Sequence, residues 1–242
     1  MLEYRISGNL RIDRGTERVL EFVRPDSDVL DVGCGIGITA ERVAGKAENG
    51  HVWAFDISEQ NVWYARETVN RSNVTFFAAN VLEDKQRIRE RLTDEIDVVT
   101  LIDVIEHIPR GNHAQIFEFF RSITSDQAYV VLTYPSPQYQ RHLKENDSEE
   151  LQIVDQVIER EELIETAQSA GFTLRHYSLE TVWQRNQYVH CVLQTDGSLG
   201  NPPSESSTFL ERMQNRIQAS WKHRVLIPIR RWKYLDRVFS KD

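Results

Sequence analysis

The chain has 242 residues, 40% of them hydrophobic, and a formal net charge of −8. That is enough apolar material for one large domain with a buried core, and no run approaches the roughly 18 apolar residues of a membrane-spanning helix. The excess of acid argues against a partner of duplex nucleic acid. Cys34 and Cys191 lie far apart and form neither a disulfide framework nor a C-x-x-C metal site, so a reducing, cytoplasmic setting is expected. The opening "MLEYRISGNLRID" has no apolar h-region, and no secretory signal is expected.

Along the chain, strand-like and helix-like segments alternate. "DVLDVG" is a short apolar run ending at glycine, and "GITAERVAGKA" follows at helical spacing. "HVWAFDIS" reads as a strand and "EQNVWYARETVNRS" as a helix. "VTFFAAN", "IDVVTLID" and "AYVVLTYP" read as strands, with the helix "HAQIFEFFRSI" between the last two. Continuous apolar runs, rather than strict alternation, suit strands buried on both faces of a parallel sheet. The pattern predicts an α/β, doubly wound sheet. Residues 136–158 are polar and aromatic with no clean period. "EREELIETAQSAGF" reads as a helix closed by Gly171, and "TLRHYSLETVWQRNQYVHCVLQT" as two strands with a loop between them. Residues 196–207, "DGSLGNPPSESS", have the composition of a linker.

The stretch "VLDVGCGIGITA" is a strand, then glycines, then a helix start. Glycines let the backbone turn tightly and approach a ligand, and the helix N-terminus offers free N–H groups. Gly35, Gly37 and Ala40 satisfy G-x-G-x-x-A, the dinucleotide fingerprint, with Asp56 about 20 residues on. No Walker lysine is present, which excludes a P-loop. Asp31 lies inside the strand just before the first glycine. A carboxylate there would repel a pyrophosphate but suits a cation such as an α-ammonium or a sulfonium. Asp56 ends its own strand, where it can accept from ribose hydroxyls.

Taken in order, "VLDVGCGIG", "AFDIS", "FFAANVLED" and "DVVTLIDVIEHI" resemble the successive motifs of the class I S-adenosylmethionine-dependent methyltransferases, over roughly residues 15 to 195. The resemblance implies a Rossmann-like, seven-stranded sheet, mostly parallel with an antiparallel last strand, within a methyltransferase domain at 1–195. It implies S-adenosylmethionine as cofactor. Asp31, Gly33, Gly35 and Gly37 would surround the methionine moiety, Asp56 would take the ribose hydroxyls, and Ile57 would pack on the adenine. Asn80 stands where the family usually has Asp facing the adenine amino group; its amide oxygen can still accept that N–H. Val81 beside it joins the adenine side.

The fourth strand should end near Asp103, placing "VIEHIPRGNH" at the carboxyl edge of the sheet, where ligands of open α/β sheets sit. Asp103 then falls near the cofactor, and Glu106 and His107 near the methyl group or the lip of the pocket. Two readings of His107 stand: a residue that only lines the turn, or the general base that a hydroxyl acceptor needs. His142 is the second candidate base. His113 is expected to start a helix and face solvent. The metal-dependent small-RNA 2′-O-methyltransferases carry an E-x-x-H run here with a later histidine. This chain has Asp103-x-x-Glu106-His107 and His142 but lacks the second histidine beside His142, and the expectation is that no metal is used.

For the acceptor, the Pro-Pro-Tyr/Phe run of adenine-N6 enzymes and the Pro-Cys nucleophile of cytosine-C5 enzymes are both missing. Residues 136–158 are either an acceptor-side insertion or a lid, with Tyr134, Tyr139, Arg141, His142 and Gln152 available to line a site. Aromatics with an arginine suit a sugar or a carboxylated small molecule. "YRISGNLRI", "YPSPQYQRHLKENDSEELQIVD" and the late strand pair resemble a bacterial branch that tailors cell-envelope glycans or secondary metabolites. The leading expectation is an O-methyltransferase acting on a sugar or similar hydroxyl. The alternatives are the metal-dependent RNA enzyme and a non-catalytic cofactor-binding regulatory module.

The charge is uneven. From Glu211 onward there are nine Lys/Arg against three Asp/Glu, a net of +6, which leaves −14 on the first 210 residues. Residues 208–242 read as a basic helical tail, broken near Pro228, with an apolar stripe at Phe209, Leu210, Met213 and Ile217. Interleaved tryptophans and basic residues suit an anionic membrane surface. Peripheral contact at the inner membrane surface is therefore an expectation beside that of a packing element.

Overall fold

A computed structural model describes residues 8–146 and 155–195. The fold below is that of the unit Arg11–Ser198. The linker, the basic tail and Gln152 lie outside the described residues.

The elements run α1 (Leu10–Leu20), β1 (Val29–Val32), α2 (Ile38–Ala44), β2 (Val52–Asp56), α3 (Glu59–Thr68), β3 (Val74–Ala78), α4 (Lys85–Arg89), β4 (Ile96–Ile102), α5 (His113–Ile123), β5 (Thr124–Pro135), α6 (Pro137–Glu145), α7 (Arg160–Ser169), β6 (Phe172–Glu180) and β7 (Tyr188–Thr195). Two single 3₁₀ turns, Ile105–His107 and Arg110–Asn112, fill the β4–α5 connection. The seven strands form one sheet in the order β3-β2-β1-β4-β5-β7-β6. β1 to β5 are mutually parallel, and β7 is antiparallel to both β5 and β6. This is the α/β, doubly wound architecture that the strand-helix alternation predicts, and the Rossmann-like, seven-stranded sheet with an antiparallel last strand that the family resemblance implies.

The apolar runs explain the layering. Every residue of β1 and β2 is buried, as expected of strands covered on both faces. Leu30, Val32, Phe55, Phe77 and Leu101 pack with α5 residues Ile116, Phe117 and Phe120 on one face. Val29, Val52, Ala54 and Val98 pack with α1, α2 and α3 residues Val19, Val43 and Val62 on the other. The parallel register brings the carboxyl ends of β1 to β5 to one edge. Antiparallel β7 delivers its first residue there too, because Tyr188 pairs with Pro135 at the end of β5.

Two local readings are corrected, and one helix is added. Residues 137–145 lack a clean period yet form helix α6. Ser136 caps it by accepting from the Tyr139 N–H, and Pro137 occupies its first turn, where no N–H is needed. His113 does start a helix, but it is buried, with Nε2 3.0 Å from the Ile108 carbonyl. Residues 10–20 form a helix whose buried side is Gly15, Thr16 and Val19. Gly15 lets α1 come so close to the sheet that a Cβ there would sit 3.3 Å from Ile102 and Thr133 side-chain carbons.

Candidate functional site

The turn after β1 is built on left-handed glycines. Gly33 has φ +70°, and an added Cβ would stand 2.5 Å from Val104 Cγ2, so neither the backbone nor the space admits a side chain. Gly35 has φ +52° with nothing among the described residues within 4 Å of its Cβ direction, so its backbone is open on that side to a ligand. The Gly35 N–H donates to Asp56 Oδ2 at 2.8 Å. Asp56 Oδ1 accepts from Ser58 N at 2.9 Å and from Asn61 Nδ2 at 3.2 Å. Three of the roughly four lone-pair sites of this carboxylate are thus used to fix its direction between the glycine turn and the start of α3.

Asp31 lies beneath that turn, 2% exposed, with no hydrogen-bond partner for Oδ2 among the described residues. Burial, reinforced by the Asp56 carboxylate, pushes its pKa up to about 8, while the Ala40 N–H pulls the other way. A buried carboxyl with an unpartnered oxygen beside a second carboxylate is a site that a cation would complete. The turn therefore offers a place for a positive group, an open backbone cradle and a fixed carboxylate.

The end of β4 supplies the other half. Asp103 holds a left-handed φ of +55°, an uncommon conformation for a non-glycine residue. Its Oδ2 lies 2.8 Å from Arg11 Nε, and its Oδ1 is buried without a hydrogen-bond partner. Arg11 comes from α1 and also donates to the Tyr188 hydroxyl at 2.8 Å, its guanidinium lying 5.5 Å from the Tyr188 ring centroid. Burial works against the Arg11 charge, but Asp103 and Tyr188 outweigh it. Burial pushes Asp103 up to about 6, with Arg11 and His107 opposing. Glu106 is 2% exposed with Oε2 unpartnered, and burial, then the Asp103 charge, raises it well above the carboxylate range. His107 Nδ1 lies 2.9 Å from Asp155 Oδ1. Among the described residues, no group of three or more His, Cys, Asp or Glu is arranged to hold a metal ion.

The remaining candidates are spread along the same edge. Ile57 is 73% exposed just past β2. Asn80 Oδ1 accepts from Leu82 N at 2.9 Å, ordering the turn after β3, and Val81 is buried in the core beside it. Tyr139 is buried in α6 with its ring 6.2 Å from that of Tyr188, so it adjoins the Arg11 cluster. Arg141 is exposed and paired with Glu159. His142 is exposed in the last turn of α6, with Nδ1 3.2 Å from Asn146 Nδ2. Tyr134 is fully buried within the sheet core.

A family model described as a methyltransferase domain matches residues 2–177. The chain belongs to this family. Among curated methyltransferases, it is 35% identical over 102 residues to a ubiquinone biosynthesis O-methyltransferase of Paraburkholderia phytofirmans, covering 42% of this chain and 41% of that one. It is 27% identical over 128 residues to indolepyruvate C-methyltransferase of Streptomyces griseus, covering 52% and 39%. The chain thus spans about two fifths of the length of these relatives. A crystal structure of magnesium protoporphyrin IX methyltransferase from Synechocystis PCC 6803 with bound SAH superposes with a TM-score of 0.60 at 17% identity, covering 77% of this chain and 84% of that one. The likeness extends over the seven-stranded fold.

Within this methyltransferase domain, the structure adds residues the sequence reading did not reach. Arg11, Tyr188 and Asp155 come from α1, β7 and the segment before α7, yet Arg11 and Asp155 contact the β4 edge and Tyr188 contacts Arg11. No spacing in the sequence links them to Asp103 or His107. The one available signal was an arginine in a stretch otherwise short of apolar residues.

Proposed function

We propose that the domain binds S-adenosylmethionine at the carboxyl edge of the sheet and methylates a hydroxyl of a small molecule, a sugar or glycan hydroxyl being the leading class, with His107 as base. The observation that carries the cofactor half is Asp31, a buried carboxyl whose Oδ2 lacks a partner beneath an open glycine turn. Those residues fit the group. Asp31 would face its cationic methionine end, Gly33, Gly35 and Gly37 would admit its backbone contacts, and Asp56 would accept from the ribose. Exposed Ile57 would cover the adenine, with Asn80, Val81 and Asp103 completing the wall. Bound, the cofactor supplies a methyl already activated on a sulfonium, so transfer mainly requires positioning.

His107 supports the acceptor half. It sits at the lip of β4, partly exposed, beside two buried carboxyls. As base, it would take the acceptor hydroxyl proton, an effect worth about 10²–10⁴-fold. His142, exposed on α6, is the second candidate. Tyr139 and Arg141 on α6 would flank the acceptor, and Tyr134 would act from the core behind them. One curated relative is named an O-methyltransferase and another a C-methyltransferase; the reading of a hydroxyl acceptor is supported by the aromatics and arginine of α6, which suit a sugar, with the histidine taking the proton that the hydroxyl loses. The free, buried cysteines suit a reducing cytoplasmic setting, and the basic composition of 208–242 supports contact with an anionic membrane surface. Among the described residues, no helix is long and apolar enough to cross a membrane.

The test is incubation with isotopically labelled S-adenosylmethionine in a bacterial lysate, followed by mass spectrometry of labelled products. A labelled methyl ether, formed by the full chain and lost in His107→Ala with cofactor affinity retained, is the expected result. Labelled carbon or nitrogen products, or unchanged turnover in the variant, would overturn it.

A further inference from the structure

His107 does not meet the acceptor side alone. Its Nδ1 lies 2.9 Å from Oδ1 of Asp155, a carboxylate whose side chain is only 8% exposed. The segment carrying Asp155 is fastened to the β4–α5 loop at two further points. Gln156 N donates to the Glu106 carbonyl at 2.9 Å, and Gln156 Oε1 accepts from Arg110 N at 3.0 Å. Ile158 then anchors the segment in the core at 3% exposure. Among the described residues, the charged groups around the imidazole include Asp155, Asp103 and Glu106, with Arg11 held against Asp103 and Arg110 paired to Glu162.

We propose that Asp155 is a positioning residue for His107: it accepts the Nδ1–H bond, fixes that tautomer and leaves Nε2 as the nitrogen that takes the acceptor proton. This rests on the reading of His107 as base. The physical reason is that a neutral imidazole has one donor and one acceptor nitrogen, and the partner of one nitrogen sets the role of the other. A carboxylate can only accept, so it selects Nδ1–H without ambiguity. The step then balances. The acceptor O–H proton passes to Nε2, the oxygen lone pair forms the new C–O bond, and the electron pair of the broken S–CH₃ bond stays on sulfur. The imidazolium that forms faces Asp155, which keeps its charge and does not take the proton. Asp155 touches neither reacting atom and acts through His107.

The experiment is long-range ¹H–¹⁵N NMR of the histidine rings in the full chain at pH 8, with the His107 signals identified by their loss in His107→Gln. The wild-type ring is expected to show a protonated Nδ1 and a bare Nε2, and Asp155→Ala to shift it to a mixture of tautomers. A wild-type ring protonated at Nε2, or an unchanged spectrum in Asp155→Ala, overturns the proposal. If the alanine variant does not fold, Asp155→Asn serves in the same comparison, because its amide can either accept from or donate to Nδ1 and so no longer enforces one tautomer. With the acceptor isolated by label transfer, Asp155→Ala should lower kcat about 10–100-fold and leave KM nearly unchanged. A kcat lost in His107→Ala but intact in the Asp155 variants overturns the role of Asp155 alone. Full turnover in His107→Ala instead overturns the base reading.

Discussion

Replacing Asp31 with Asn tests the physical basis of the cofactor site without any acceptor. Burial and the neighbouring Asp56 push Asp31 from 3.8 to about 8. The sign follows from linkage. A group whose folded pKa is raised binds its proton more tightly folded than unfolded, so its contribution is most favourable below about pH 4. That contribution is progressively lost as pH rises to about 8, then levels off. At about 1.4 kcal/mol per pKa unit, a shift of this size is an upper bound of several kcal/mol. Relaxation around an open turn should leave about 1–3 kcal/mol. Asn is close in shape, keeps an oxygen for the Ala40 N–H and does not titrate. Asp31→Asn should therefore match wild type in Tm near pH 4.5 and exceed it by about 2–12 °C at pH 8, at roughly 2–4 °C per kcal/mol. The same variant should bind S-adenosylmethionine at least about tenfold more weakly, having lost the carboxylate for its cationic end. Scanning fluorimetry across pH with and without ligand reads both. A Tm difference that does not change with pH would refute the buried, proton-holding Asp31, and unchanged affinity would refute its role in binding.

Arg11→Ala should destabilise the domain by about 1–3 kcal/mol at pH 8, because it leaves Asp103 buried without its counter-ion. The loss should shrink at pH 5, below the raised Asp103 pKa of about 6, and denaturant titration at the two pH values checks this. Gly33→Ala should cost about 2–4 kcal/mol from the positive φ and the 2.5 Å contact with Val104. Adding Val104→Ala should recover the steric part but not the backbone part, as read by a double-mutant cycle. Co-sedimentation with anionic liposomes at low salt should pellet the full chain but not residues 1–207. Equal pelleting of both, or none of either, would leave the tail without a membrane role.

The sheet was legible because its strands carry their burial in the sequence: "VLDV", "VWAFD" and "VVTLI" are apolar but for Asp31, Asp56 and Thr100, and each stops at a glycine or an aspartate on the ligand edge. The Asp31, glycine and Asp56 triangle was legible for the same reason, since its members lie at strand ends whose order the sequence prints. Helix α1 was not. Its buried face is Gly15, Thr16 and Val19 rather than a stripe of large apolar residues, and its close packing is a matter of small size. Missing α1 meant missing Arg11, and with it the reason two carboxyls tolerate burial at Asp103 and Glu106. A polar residue at a helix start usually faces solvent, yet His113 is buried, its ring nitrogen satisfied by the Ile108 carbonyl. Asp155 had no local signal at all. Its pairing with His107 depends on how the segment before α7 returns to the β4 edge, which only the tertiary fold decides.

The most direct measurement of the central claim is isothermal titration of the full chain with S-adenosylmethionine, its demethylated product and NAD, repeated on Asp56→Ala. Binding of the first two at micromolar dissociation constants, none of NAD, and a loss of at least about tenfold in a variant that still melts cooperatively are expected, since hydrogen bonds to a charged acceptor contribute about 1.5–3 kcal/mol each. Tight NAD binding, or an Asp56→Ala isotherm indistinguishable from wild type, would contradict the account.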